Sequence, residues 1–191
     1  MQQFNKYLNI IQKQKLYNNV FEHVLLLHMF ENINENTLVT TEREEVIELI
    51  NHNNLKTTPI DFYNSLNKSK HKEMLTPYSV DELSKMKLFK VPGYNIGYAL
   101  KQLDNGGLDI VAVHNNESTI KGIGTILMQS AINNGGNYLD HFDTPVLSNL
   151  YSQMGFVEYN RDKYDAQYDP DGNFRNKYGE LDIIYRKLKN S

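Results

Sequence analysis

The chain contains no cysteine, which excludes disulfide frameworks, thiolate metal centres and cysteine nucleophiles and gives no support to an oxidising compartment. Long apolar runs are missing too. The longest near the N-terminus, Val24-Leu25-Leu26-Leu27, is far shorter than the roughly 20 residues that cross a bilayer, and no basic segment followed by an apolar stretch marks a leader. Nor is there an excess of positive charge. At a net charge of −3 the composition argues against a nucleic-acid binder held by phosphate neutralisation. These absences lead us to expect a cytoplasmic protein with neither a nucleic-acid nor a membrane partner. The abundance of Asn, Lys and Ile fits an AT-rich coding genome, that of a low-GC bacterium or its phage, so a virion or an infected host cytoplasm is the alternative setting.

A chain of 191 residues with 40% hydrophobic content can bury one good core, with room for an appended piece. In residues 4–30, Phe4, Leu8, Ile11, Val20, Val24 and Leu27 recur at mostly helical spacing and predict one long or two abutting amphipathic helices. His23 and His28 are five apart and do not share a helix face, which argues against a metal pair. Three further helix starts carry side-chain caps: Thr41 with Glu44, Thr58 with Pro59 and Asp61, and Ser79 with Glu82. Residues 1–70 thus read as an N-terminal helical region ending in a polar connection over 67–72.

After Met86 the pattern turns to strands, expected over residues 87–91, 94–101 and 108–113. They are separated by the turn formers Pro92-Gly93 and Asp104-Asn105-Gly106-Gly107. A helix over about 122–133 stops at Gly135-Gly136. There follow a strand over 137–143, a helix over 144–154 with Thr144 as N-cap and Pro145 at its first position, and strands over 156–161 and 181–186. Residues 162–179, rich in Tyr and Asp, read as a surface insertion. Asp169-Pro170-Asp171-Gly172-Asn173 does not read as a calcium loop, because Gln167 and Tyr178 occupy the first and twelfth ligand positions.

The chemistry centres on Lys121-Gly122-Ile123-Gly124-Thr125, a Gly-x-Gly turn between a strand and an amphipathic helix. Such a turn presents backbone N–H groups and a positive helix end to an anion. Downstream stands Leu150-Tyr151-Ser152-Gln153-Met154-Gly155-Phe156. Strand, Gly-x-Gly, helix, strand, helix, Tyr-x-x-x-Gly-Phe and strand, in that order, resemble the GNAT superfamily of N-acetyltransferases over residues 88–187. The resemblance implies an α/β (α+β) fold, with a mixed, mostly antiparallel sheet flanked by helices. Residues 71–191 would be the acyltransferase domain, behind an N-terminal helical extension.

It further implies acetyl-CoA as acyl-donor substrate, with its pyrophosphate held by the backbone of Ile120, Lys121, Gly122, Ile123, Gly124 and Thr125 and by the charge of Lys121. Val111, Ala112 and Val113 would splay from the strand over 137–143 and offer backbone groups to the pantetheine arm. Thr144 occupies the place of a frequent cofactor-binding Asn, Thr119 that of a usual Gln or Arg, and Ile120 that of a common Gly or Arg. Tyr151 is the expected acid, since a phenol with an ordinary pKa of about 10 stays protonated at neutral pH and can give its proton to a leaving thiolate. For a base, His141, on one strand face with Asp143, and His114 both qualify. No metal is implied. The expected reaction is direct transfer of an acetyl group to a small-molecule or peptide amine, with polyamine, antibiotic, peptide terminus and lysine all open. The alternative is a non-catalytic structural or interaction protein on the same fold, phage-encoded in one version, whose N-terminal helices serve homo-oligomerisation or assembly.

Overall fold

The computed structural model describes residues 35–52, 55–69 and 74–189, without the side chains of 35–40. The helices expected over 4–30, with His23 and His28, lie outside the described residues. The chain divides into two compact units, Met1–Thr41 and Glu42–Ser191. The first described helix, α1 (Glu35–Asn51), runs straight through Thr41. Thr41 is therefore not the expected N-cap. The residues before it continue into the helical Glu42-Arg43-Glu44-Glu45 run, and an unbroken helix overrides the local capping pattern. The other two caps form as read. Thr58 accepts the Asp61 N–H at the start of α2 (Pro59–Leu66), and Ser79 and Glu82 make a reciprocal capping box at α3 (Val80–Ser84).

Six strands follow: β1 (Lys87–Lys90), β2 (Ile96–Gln102), β3 (Leu108–Asn115), β4 (Tyr138–Phe142), β5 (Phe156–Asp162) and β6 (Ile183–Leu188). Helix α4 (Gly124–Asn133) joins β3 to β4, α5 (Pro145–Gln153) joins β4 to β5, and a short 3₁₀ turn with α6 (Asn173–Tyr178) lies between β5 and β6. They form one sheet in the order β1-β2-β3-β4-β6-β5. Every pairing is antiparallel except β3 with β4. This is the mixed, mostly antiparallel sheet flanked by helices that the sequence implied.

Side-chain alternation explains the layers. Ile96, Tyr98 and Leu100 of β2 and Ile110 of β3 join one core cluster with Val46 and Ile50 of α1, Leu127 and Met128 of α4, Leu139 and Phe156. Ala99 and Val111, one residue out of step, join Phe62 and Leu66 of α2 and Leu83 of α3 in a second cluster. The two clusters occupy opposite faces of the sheet. The buried Tyr98 hydroxyl is satisfied by Ser130 and Asn134 at 2.9 and 3.0 Å. At Gly97 a Cβ would collide with the carbonyl oxygen of Phe89, so the close pairing of β1 with β2 needs glycine there. Among the described residues no helix is long and apolar enough to cross a membrane.

Candidate functional site

The parallel pair β3/β4 has a single register pair, Asp109 with Tyr138 at the N-terminal ends. Beyond it the strands part. β3 is bent there, because Gly97 faces His114 while Ala99 faces Val111, so β3 carries one residue more than β2 over that stretch. Ala112 in this bulge has φ of 53°, the one positive value at a non-glycine residue among those described. A bulge turns the chain away from its neighbour and leaves a residue out of the ladder. The gap is a cavity of about 400 Å³. Val111, Ala112 and Val113 form its β3 wall and Asp140, His141 and Phe142 its β4 wall, while Tyr151 and Met128 line it from the α4/α5 side and Thr76 from the other. The cavity therefore passes between the two sheet faces, at the carboxyl ends of parallel strands, where ligands of open α/β sheets usually bind.

The Gly-x-Gly turn follows directly from β3. Ile123 occupies the N-cap of α4 and makes no side-chain cap bond. The N–H groups of residues 121–126 have no acceptor among the described residues, which leaves a cradle of free donors at a helix N-terminus. Gly122 takes φ of +72°, a conformation that favours glycine, and a Cβ on Gly124 would meet nothing within 4 Å. Lys121 is exposed beside it, and Ile120 is buried beneath the turn.

A residue that sequence reasoning missed completes this cradle. Arg43, in α1, donates from Nε to the Lys121 carbonyl at 3.1 Å, and its Nη2 lies 3.9 Å from where a Gly122 Cβ would be. A guanidinium with further N–H groups thus stands at the turn. No local signal announced it, since 78 residues separate the partners.

Tyr151 packs its ring against His141, with centroids 5.0 Å apart, and against Phe156 at 6.3 Å. Its hydroxyl makes no hydrogen bond among the described residues. Burial, and secondarily the nearby Asp140, push the phenol above its usual pKa, so it stays protonated at neutral pH.

His141 is nine-tenths buried with both ring nitrogens engaged. Nδ1–H donates to the Phe142 carbonyl at 2.8 Å, and Nε2 accepts from Arg186 Nε at 2.9 Å. Burial first, and the Arg186 charge as well, lower its pKa. With a guanidinium already on Nε2 the ring is held neutral, and taking up a proton there would require Arg186 to withdraw. Asp143 is not hydrogen-bonded to it. Its carboxylate is held by Arg161 at 2.6 Å and Ser148 at 3.1 Å, well below the ordinary carboxylate range because of Arg161. His114 is likewise enclosed, Nε2 paired with Ser65 Oγ at 2.8 Å and Nδ1 with the Ala112 carbonyl at 2.9 Å, and burial lowers its pKa. Thr144 accepts the Leu147 N–H at 3.4 Å as the N-cap of α5, the place predicted for it. Its hydroxyl is occupied by that cap.

No family model and no curated protein matches the chain. Among solved structures it is similar to N-acetylglutamate synthase from Neisseria gonorrhoeae, determined with coenzyme A and L-arginine, at 16% identity and a TM-score of 0.42. The likeness covers 68% of this chain and 31% of that one, so the chain spans about a third of the length of that protein.

Segment 162–179, expected as a surface insertion, is built around one carboxylate. Asp169 accepts the N–H groups of Phe174 and Arg175 at 3.0 and 2.9 Å and the Tyr164 hydroxyl at 3.0 Å, so it caps α6. Among the described residues no group of three or more His, Asp or Glu could hold a metal ion.

Proposed function

We propose that the protein is an N-acyltransferase that moves an acetyl group from acetyl-CoA directly to an amine. One observation carries the reading. The β3/β4 gap is lined by Met128 of α4, the helix whose N-terminus carries the free N–H groups, and by a phenol with no hydrogen-bond partner among the described residues. Acetyl-CoA fits this donor set: residues 121–126 and Arg43 supply N–H groups for its diphosphate, and the open edge of the Val111–Val113 segment supplies main-chain groups for its amide-rich arm. When bound, it provides an activated acetyl thioester.

The chain's own groups then manage position and protons. The bulge at Ala112 re-aims main-chain groups of β3 toward the gap, where an N–H can meet charge developing on the acyl oxygen. The amine nitrogen bonds to the acyl carbon, the carbon–sulfur bond breaks, and Tyr151 gives its phenolic proton to the departing sulfur. The proton lost by the amine goes to water, and the phenol is reprotonated from solvent. His141 acts as a positioning residue, fixed by Arg186 and Phe142 and packed on the Tyr151 ring. The general base is water rather than His141 or His114, whose lone pairs are taken.

A thermal-shift titration tests the reading. A ligand that binds only the folded state adds about 2.7 kcal/mol of stability at one hundred times its Kd, and acetyl-CoA should do so. No change in Tm at millimolar acetyl-CoA would remove the enzyme reading and favour a structural protein on this fold.

A further inference from the structure

A second cavity, of about 790 Å³, lies under the 162–179 segment. It shares two wall residues, Phe142 and Ile183, with the β3/β4 gap. Both project from the sheet face that carries Asp140, the face opposite α4 and α5, because Phe142 pairs with Ile183 and Asp140 with Tyr185 across β4 and β6. The chamber thus adjoins the gap on the sheet face opposite Tyr151.

The walls indicate what the chamber takes. Six aromatic rings line it: Phe142, Tyr164, Tyr168, Phe174, Tyr178 and Tyr185. Phe174 packs on Phe142 at 4.7 Å and on Tyr178 at 5.1 Å. Several of the polar groups among them are engaged internally. Tyr185 donates to Asp162 at 2.7 Å and Tyr164 to Asp169 at 3.0 Å, while Lys163 pairs with Asp182 at 2.8 Å. The rings offer a ligand a broad flat surface, which suits a planar apolar body. At the junction the charge changes. Asp140 lines the gap, and Asp109 stands on the neighbouring strand. Neither makes an ion pair among the described residues, so a cationic amine at the junction would find the Asp140 carboxylate free.

We propose that this chamber binds the acceptor, a primary amine carried on an aromatic or similarly planar apolar body, with the ring among Phe142, Phe174 and Tyr178 and the amine at Asp140 beside the gap. The proposal rests on the acyl-transfer reading for its chemistry but not for its binding site.

Tryptamine is a suitable probe. The chain contains no tryptophan, so indole fluorescence reports on the ligand alone. Saturable blue-shifted emission is expected on titrating the full chain, and Phe174→Ala and Tyr178→Leu should each weaken binding at least tenfold. Far-ultraviolet circular dichroism and melting check that both variants fold, and two different rings are changed in case one variant does not. Indole-3-propionic acid, with the same ring but an anionic tail, should bind at least tenfold more weakly than tryptamine. No saturable change up to millimolar tryptamine, wild-type affinity in the folded variants, or equal affinity for the acid would overturn the proposal. Tryptamine binding without acetyl-CoA binding would instead keep the chamber and remove acyl transfer, and acetyl-CoA binding alone would do the reverse.

Discussion

Replacing Tyr151 by Phe removes one oxygen atom and separates a chemical role from a packing role. The hydroxyl has no hydrogen-bond partner among the described residues to lose, while the ring contacts to His141 and Phe156 are kept. The change in folding stability should therefore stay within about 0.5 kcal/mol, the range of substitutions that break no specific interaction. Loss of a general acid slows the chemical step by roughly 10²- to 10⁴-fold, which at 1.36 kcal/mol per decade corresponds to about 2.7–5.4 kcal/mol of barrier. The barrier should thus rise at least fivefold more than stability falls. Urea unfolding gives the first quantity, and release of CoA thiol under single-turnover conditions with an accepted amine gives the second. Acetyl-CoA affinity should persist. If Tyr151→Phe turns over as fast as wild type, the phenol plays no part in the reaction; if instead it unfolds readily, the hydroxyl has a structural partner that this geometry does not contain.

Gly124→Val should fold, since its Cβ meets no atom within 4 Å, yet lose acetyl-CoA binding because the side chain fills the space over the free N–H groups; unchanged affinity would show that the turn is only a connection. Arg43→Met keeps the unbranched stem of the side chain and removes its charge, and should weaken acetyl-CoA binding by about tenfold or more, with the loss shrinking in high salt; equal affinity at low and high salt in both proteins would place Arg43 outside the site. Asp109 has its pKa raised to about 6, mainly by burial and then by the Asp140 charge. A folded-state pKa above the unfolded value contributes stability that is present below about pH 4 and lost as pH rises through 6. Asp109→Asn should accordingly be more stable than wild type by about 1–3 kcal/mol at pH 8, with the advantage gone near pH 4. Matching denaturation midpoints at pH 8 would refute this account.

Much of the sheet was legible because its signals are local. Turn formers at Pro92-Gly93 and Asp104-Asn105-Gly106-Gly107 separate β-rich runs, and Thr58, Ser79 and Thr144 make their caps from side chains within three residues. Where the reading depended on what lies far away, it failed or fell short. Thr41 carried a complete capping pattern and is helix interior. Arg43 and Arg186 reach the site from remote positions, 78 residues from Lys121 and 45 from His141, and nothing in their neighbourhoods marks them. His141 and His114 were well placed along their strands, but periodicity gives the face on which a ring lies and not whether its lone pairs are free. The 162–179 segment, rich in Tyr and Asp, read as a surface insertion because nothing local tells where its rings point. Its rings face a cavity that exists only once β6 has closed the sheet.

The single register pair between β3 and β4 divides the sheet into two halves that are each continuous in sequence: β1, β2 and β3, and then β4, β5 and β6. Besides that pair, Asn137 stitches the halves at the same end, its side chain accepting the Leu108 N–H and its own N–H meeting the Leu108 carbonyl, both at 2.9 Å. Everything beyond is a seam, closed at one end like the pivot of a pair of tongs. Separate sheet halves of this kind open as cooperative units with their own protection against hydrogen exchange. An extended ligand lying in the seam would act as a missing strand and fasten one half to the other, so its arrival would be registered as slower exchange in β2 and β6 alike, strands that are not the two the ligand would pair with.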